Sequence, residues 1–190
     1  AKNSNYKKVV LIEFGVANGS GLSELILISK IIKNNLNIST RVIGFDSNKG
    51  LPHPKNYKDH PEIWQKGDFK ISKKNKIKFK KYIIEGNLSN TLKNFKTEKD
   101  EKIIFMSVDV DYYSSTKLIL SWVKKNVKHL MGSTPVYFDD VFNNFFYSKF
   151  SGELLAINEF NKENKTLKIE CKDRDLKIFT IQNFKDPYRN

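Results

Sequence analysis

The sequence predicts a doubly wound α/β fold with a mostly parallel sheet and a C-terminal antiparallel hairpin. Short apolar runs rich in β-branched residues alternate along the chain with segments of helical periodicity. The first apolar run ends in glycines, which is typical of a strand buried on both faces of a parallel sheet. A length of 190 residues favours a single domain, which we predict to span residues 1–190.

The individual elements follow from these patterns. Strands are predicted at residues 9–14, 41–46, 81–85, 102–109 and 135–139, and helices at 22–32, 89–95 and 153–162. A further helix begins near Ser114, whose hydroxyl can cap it. Residues 167–170 and 176–181 form the hairpin. Residues 47–81 combine prolines with a Lys-rich stretch, and they predict a long excursion with some helix that lies near the substrate.

Acidic residues stand where three predicted strands end. Asp46, Asp109 and Asp139 each close a strand, and ligands of open α/β sheets bind beyond the carboxyl ends of the strands, near the point where strand order reverses. The sequence therefore predicts one site at this edge.

The turn at residues 13–21 has the composition of a nucleotide-binding turn. Its small residues let backbone amides approach a ligand, although a purely structural turn stays an alternative. Asp46 favours binding, because a carboxylate there can accept both hydroxyls of a ribose. The spacing is not Gly-x-Gly-x-x-Gly, and no Gly-Lys-Ser/Thr follows, which leaves S-adenosylmethionine (SAM) as the common occupant.

Four motifs resemble the macrocin O-methyltransferase family of class I SAM-dependent enzymes. They are Glu-x-Gly-x-Ala-x-Gly from residue 13, Gly-Phe-Asp-Ser-x-x-Gly-Leu-Pro at 44–52, Asp-x-Asp-x-Tyr-x-Ser-Thr at 109–116 and Tyr-Phe-Asp-Asp at 137–140. The resemblance implies a Rossmann-like seven-stranded sheet and methylation of a hydroxyl, typically on a sugar. The predicted cofactor residues are Glu13, Gly15, Ala17, Asn18, Gly19, Asp46, Ser47, Asn87 and Asp109.

The carboxylates after the fourth and fifth strands predict a metal site. Asp109 and Asp111 lie two residues apart, and Asp139 and Asp140 are adjacent. Four converging carboxylates repel one another unless they are protonated, paired with cations or bound to a metal, and Mg²⁺ prefers oxygen ligands. The resemblance implies that Asp109, Asp139 and Asp140 bind Mg²⁺ or another divalent cation and that Asp111 is the general base. Alternatively, Asp111 caps the helix that begins near Ser114.

The substrate prediction rests on polar and aromatic residues near the site. The candidates are His53, His60, Trp64 and Tyr113, with residues 143–147 as weaker ones. The expected partner is a small molecule with a sugar hydroxyl, and a homo-oligomer is possible.

Composition leaves two other functions open. A net charge of +13 could serve an RNA methyltransferase, although the lysines are spread along the chain. A catalytically silent SAM-binding subunit is the other alternative. The single cysteine predicts no internal disulfide and a reducing, cytoplasmic setting, and no apolar run predicts a membrane span. The start at Ala1, close to the first strand, suggests that N-terminal elements are missing.

Overall fold

A computed structural model of the protein describes residues 6–142 and 147–185. The strands are β1 (Lys8–Phe14), β2 (Ser39–Asp46), β3 (Ile83–Glu85), β4 (Glu101–Val108), β5 (Ser133–Phe138), β6 (Leu167–Asp173) and β7 (Ile178–Asn183). The α-helices are α1 (Ser20–Leu36), α2 (Lys73–Phe79), α3 (Leu88–Asn94), α4 (Tyr113–Lys125) and α5 (Gly152–Glu163). Short 3₁₀ helices cover Tyr57–Asp59 and Val127–His129. None of the helices in the described ranges is long and apolar enough to cross a membrane.

The strands form one seven-stranded sheet in the order β3-β2-β1-β4-β5-β7-β6. The first five strands are parallel, and β7 pairs antiparallel with both β5 and β6. This confirms the predicted doubly wound, mostly parallel sheet with a C-terminal hairpin. The chain order reverses between β1 and β4, so a crevice is expected at their carboxyl ends.

Helices cover both faces of the sheet, and β1 is therefore buried on both faces. Val10, Ile12 and Phe14 pack into a core with the apolar residues of α3, α4 and α5. Leu11 points to the opposite face, where it joins Leu22 of α1 and Phe79 of α2. Alternating side chains of one strand thus enter two cores, each fully buried side chain contributing about 1.5–3 kcal/mol.

The excursion between β2 and β3 contains a closed loop, residues 51–68, which we call the excursion loop. Its ends are joined by two backbone hydrogen bonds, from Leu51 N to Asp68 O (2.9 Å) and from Gly67 N to Leu51 O (3.0 Å). Gly50 precedes it with φ 80, and a Cβ there would collide with the carbonyl oxygens of Gly67 and Asp68. Specific backbone interactions therefore define the conformation of the loop. Helix α2, which follows it, confirms the helix predicted in the excursion.

Asp59, in the middle of the excursion loop, caps helix α4. Its Oδ1 accepts a hydrogen bond from Ser114 N and its Oδ2 one from Lys55 N, both at 2.8 Å, and the residue is 0% exposed. The helix starts one residue before Ser114, at Tyr113, and its N-cap residue makes no side-chain capping bond. The predicted hydroxyl cap of Ser114 is thus wrong, because Asp59 supplies the acceptor from a distant part of the chain.

Candidate active site

A cavity of about 1310 Å³ opens at the carboxyl ends of the central strands, where the strand order reverses. Gly15 after β1, Asp46 of β2 and Asp109 after β4 all line it, as the sequence predicts. Ligand pockets usually measure about 300–1,000 Å³. This cavity therefore has room for a nucleotide-sized cofactor together with a second molecule.

The glycine turn forms one wall of the cavity. Gly15 has φ 83, and a Cβ there would collide with the carbonyl oxygen of Asp109, so β1 and β4 can approach this closely only at a glycine. Ala17 continues the turn with φ 43, and Asn18 also lines the cavity. Gly19 has no place in the described lining, because it packs against the ring of Phe79. Its role is to join α1 to α2.

Asp46 holds the turn in place. Its Oδ2 accepts hydrogen bonds from Val16 N (2.9 Å) and Ala17 N (3.1 Å), and its Oδ1 accepts one from Asn48 N (2.6 Å). A carboxylate has about four acceptor positions, so three backbone donors leave capacity for about one further hydrogen bond. The prediction that Asp46 accepts both ribose hydroxyls therefore requires one of these amides to share its acceptor.

Two other predicted cofactor residues make local hydrogen bonds beside Asp46. The hydroxyl of Ser47 donates to Gly50 O (2.9 Å) and accepts from Lys49 N (3.0 Å). Asn87 caps α3, its Oδ1 accepting from Ser89 N (2.9 Å) and Oγ (2.8 Å). Both residues line the cavity, and the side-chain amide nitrogen of Asn87 is the group that can donate to a ligand there.

Glu13 lies buried beneath the turn, with an exposed fraction of 4%. Burial, together with the negative charges of Asp109 and Asp46, raises the pKa of its carboxyl to about 8. Its Oε1 occupies the space that a Cβ on Gly21 would need, and its Oε2 is buried without a hydrogen-bond partner in the described part of the chain. A buried oxygen of this kind is a position at which a ligand donor is expected.

Three carboxylates meet at the other end of the cavity. Asp109, Asp111 and Asp140 each place one oxygen within 4.8 Å of the other two. Burial, followed by the charges of neighbouring aspartates, raises the pKa of Asp109 to about 7 and that of Asp111 to about 8. This set differs from the predicted metal ligands, since Asp111 takes the place of Asp139.

Asp139 lines the cavity, but a lysine neutralises it. Lys177 Nζ donates to its Oδ1 (2.8 Å) and to its backbone oxygen (2.6 Å), and the hydroxyl of Tyr137 also donates to Oδ1. Lys177 precedes β7, which runs antiparallel to β5 and so brings the ammonium beside the end of β5. The charge of Asp139 is therefore already compensated within the chain.

Asp140 is connected to a buried glutamate that the sequence did not reveal. Its backbone amide donates to Glu153 Oε2 (3.1 Å), and its Oδ1 accepts from the hydroxyl of Tyr147. Glu153 is fully buried in the first turn of α5, and burial raises the pKa of its carboxyl well above the usual value. Within the described residues, Glu153 Oε1 and Asp140 Oδ2 have no hydrogen-bond partner.

Asp111 sits in a strained turn. Its φ is 59, and Tyr112 N donates to Val110 O across it at 2.5 Å, which are the features of the rare γ-turn with positive φ. The turn directs Asp111 toward Asp109 and Asp140 immediately before α4 begins. Asp59 caps α4, so the structure does not support the alternative role of Asp111 as the cap of this helix. Strain of this kind concentrates at functional sites.

Of the four residues predicted to contact the substrate, one lines the cavity and three do not. Trp64 lines the cavity, its ring packs edge-on against Phe69 at 5.3 Å, and its Nε1 is buried without a partner in the described residues. His53, His60 and Tyr113 lie outside the described lining. His60 is buried beside Gly152, and Tyr113 donates to Glu159 (2.6 Å), so both join the excursion loop or α4 to α5. Of residues 143–147, Tyr147 lines the cavity and residues 143–146 lie outside the described ranges.

The fold is the Rossmann-like α/β fold of solved methyltransferase structures. One match is "CalS11, Calicheamicin Methyltransferase", with a TM-score of 0.69, 21% identity, and coverage of 93% of this chain and 72% of that chain. The O-methyltransferase NovP matches with a TM-score of 0.62, 19% identity, and coverage of 91% and 71%. An apo structure of CalS11, described as a TDP-rhamnose 3'-O-methyltransferase, matches with a TM-score of 0.57, 18% identity, and coverage of 93% and 72%.

At these identities the likeness establishes the fold. No protein-family model and no curated protein matches the chain. Its resemblance to the macrocin O-methyltransferase family therefore remains a prediction from the four motifs.

Proposed function

We propose that the protein is a SAM-dependent, Mg²⁺-assisted O-methyltransferase that acts on a hydroxyl of a sugar. The observation that carries this proposal is a single cavity with the glycine turn and Asp46 on one wall and three carboxylates within 4.8 Å of one another on another. The fold supports it as well, since the solved structures that match are methyltransferases by name. One cavity could thus hold a methyl donor and a hydroxyl acceptor side by side.

The residues around the turn fit SAM. Gly15 leaves the wall open, Asp46 retains acceptor capacity for a ribose hydroxyl, and the amide of Asn87 can donate to a base. The unpartnered Oε2 of Glu13 is an acceptor for the ammonium group of the methionine part. When bound, SAM supplies an electrophilic methyl group on a sulfonium ion.

The acidic cluster fits a hard divalent cation. Asp109 and Asp140 offer oxygen atoms, which Mg²⁺ prefers, and burial, followed by the charges of neighbouring carboxylates, raises the pKa of Asp109, an effect that a bound cation would oppose. Asp139 lies beside these carboxylates, and Lys177 compensates its negative charge. When bound, Mg²⁺ supplies a Lewis acid that lowers the pKa of a coordinated hydroxyl.

Asp111 is the proposed general base. Burial raises the pKa of its carboxyl above that of an exposed aspartate, and a cation held by Asp109 and Asp140 would leave the Asp111 carboxylate free to accept a proton. Its carboxylate would accept the proton of the acceptor hydroxyl as the oxygen–methyl bond forms and the sulfur–methyl bond breaks, with S-adenosylhomocysteine as the leaving group. Asp111 lies within the strained turn, and the capped helix α4 follows it. Together they hold this carboxylate toward the other two carboxylates of the cluster.

The test is transfer of a tritiated methyl group from SAM to a panel of sugars, sugar phosphates and nucleotide sugars, with Mg²⁺ or with EDTA. We expect transfer to at least one sugar hydroxyl, lost in EDTA and restored by Mg²⁺. Full transfer in EDTA would remove the metal from the proposal. Transfer to RNA with no transfer to any sugar would replace the proposed acceptor class.

A further inference from the structure

The excursion loop presents basic side chains to the cavity from a fixed scaffold. Lys55 and Lys66 both line the cavity. The backbone of Lys55 is held by its bond to buried Asp59, and Lys66 immediately precedes Gly67, which closes the loop. The backbone positions of both lysines along the cavity wall are therefore set by the fold, and their exposed side chains extend from it.

The acidic cluster and the lysines of the excursion loop line different parts of the cavity. The acidic cluster lies at the ends of β4 and β5, where Lys177 already neutralises Asp139. In the described ranges, neither Lys55 nor Lys66 forms an ion pair with a carboxylate, whereas Lys58 in the same loop pairs with Glu159. The ammonium groups of Lys55 and Lys66 thus line the cavity without an ion-pair partner in the described part of the chain.

Trp64 adds a hydrogen-bond donor between the two lysines in sequence. Its Nε1 is buried and unpartnered in the described residues, although it lines the cavity. An indole nitrogen can only donate, so the partner it lacks is an acceptor. Two ammonium groups and one N–H donor match the oxygens of a phosphate group.

We propose that Lys55, Lys66 and Trp64 bind a phosphate or diphosphate group of the acceptor, so that the methylated sugar is a phosphorylated or nucleotide-linked one. This inference rests on the proposed function. A phosphate is repelled by the acidic cluster and attracted by the loop, so such an acceptor enters with its hydroxyl toward Asp111 and its phosphate toward the loop. A neutral sugar could accept hydrogen bonds from these groups but would provide no counter-charge for the two ammonium groups.

The experiment measures binding of inorganic pyrophosphate, glucose 1-phosphate and uridine diphosphate by calorimetry, in EDTA and with S-adenosylhomocysteine present. EDTA keeps cations from carrying phosphate to the acidic cluster. The test variant is the double substitution Lys55→Gln and Lys66→Gln. The matched control is Lys99→Gln with Lys165→Gln, which removes the same charge from exposed positions outside the described lining.

We expect pyrophosphate to bind the unaltered chain, and the test variant to bind it roughly tenfold more weakly while the control changes less than about twofold. Tighter binding of uridine diphosphate than of pyrophosphate, which carries the same diphosphate group, would support a nucleotide-linked acceptor, and tighter binding of glucose 1-phosphate than of either would support a simple sugar phosphate. Absence of pyrophosphate binding, or equal weakening in both variants, would overturn the inference.

Binding of S-adenosylhomocysteine, measured in the same experiment, separates this inference from the proposed function. If the cofactor product binds and pyrophosphate does not, the acceptor class is wrong and the methyltransferase proposal stands. If the cofactor product does not bind, the proposed function fails, and with it the role of the anion site in methyl transfer.

Discussion

At the scale of single residues, Asp46 links the end of β2 to the glycine turn on the cavity wall. Asp46→Ala removes the acceptor of two turn amides as well as the proposed ribose contact. Because hydrogen bonds to a charged group contribute about 1.5–3 kcal/mol, we expect the Kd for SAM to rise roughly 10- to 100-fold. Calorimetry checks this, with Asp175→Ala, an exposed position outside the described lining, as the control. An unchanged Kd would exclude Asp46 from the cofactor site.

Asp140 tests the acidic cluster in the same way. Asp140→Asn takes one negative charge from the three clustered carboxylates and keeps the shape of the side chain. We expect the affinity for Mn²⁺, measured by electron paramagnetic resonance, to fall at least about tenfold while SAM binding changes less than about twofold. Asp175→Asn is the matched control. Equal Mn²⁺ affinity in both variants would show that the cluster holds no cation.

Sequence reasoning found the acids of the site but not their partners. Asp46, Asp109 and Asp111 are predictable because strand ends of a parallel sheet meet at one edge. Lys177 and Glu153 are not, since they reach Asp139 and Asp140 through the β5–β7 pairing and the first turn of α5. No local sequence pattern marks such contacts. The sequence therefore predicted Asp139 as a member of the set, whereas the clustered carboxylates include Asp111 instead.

At the scale of elements, the excursion loop and α4 depend on each other through Asp59. Asp59→Ala leaves the amides of Lys55 and Ser114 without their acceptors inside the structure. Loss of a capping residue costs about 1–2 kcal/mol, and we expect the free energy of unfolding to fall by about that amount. Urea denaturation measures it. Asp59→Asn, which keeps one carbonyl acceptor, should lie between the two, and an alanine variant as stable as the unaltered chain would contradict the capping role.

The same interaction shows where sequence reasoning stops at this scale. The excursion was predictable from its prolines and lysines, and the start of α4 from its apolar periodicity. The cap was assigned to the nearby Ser114, because a local hydroxyl is the usual solution. The actual acceptor lies 55 residues away in the chain, so only the folded structure brings it to the helix.

At the scale of the whole molecule, the fold followed from alternation and burial. Five parallel strands separated by helices, then a hairpin, allow few arrangements, because crossovers between parallel strands are right-handed and short. The observed strand order, with its reversal between β1 and β4, is one of these arrangements. The closed conformation of the excursion loop, which lines one side of the cavity, could not be predicted from this alternation. That conformation depends on specific backbone hydrogen bonds at Leu51 and on Gly50.

The buried acids make stability depend on pH. The pKa values of Glu13, Asp109 and Asp111 rise to about 8, 7 and 8, above those of the unfolded chain, so the folded state holds protons that the unfolded state releases. Their contribution to stability is full below their unfolded pKa values and is lost as pH rises toward about 8. Acids with lowered pKa values, such as Glu85 and Glu98, act mainly below that window.

We therefore expect the Tm in EDTA to fall between about pH 5 and about pH 8, and Mg²⁺ to raise it more at pH 8 than at pH 5, because the cation binds ionised carboxylates. Differential scanning fluorimetry measures both effects. A Tm that rises over this range in EDTA, or an equal Mg²⁺ effect at both values, would contradict the assigned pKa directions.

The central claim is that one cavity holds the methyl donor at the glycine turn and a divalent cation at the acidic cluster. The most direct measurement is a crystal structure with S-adenosylhomocysteine and Mn²⁺, with the metal located by anomalous scattering. We predict the cofactor product beside Gly15 and Asp46 and the manganese peak between Asp109 and Asp140. A cofactor product bound elsewhere, or a cavity with the cofactor product and no manganese peak at these carboxylates, would contradict the claim.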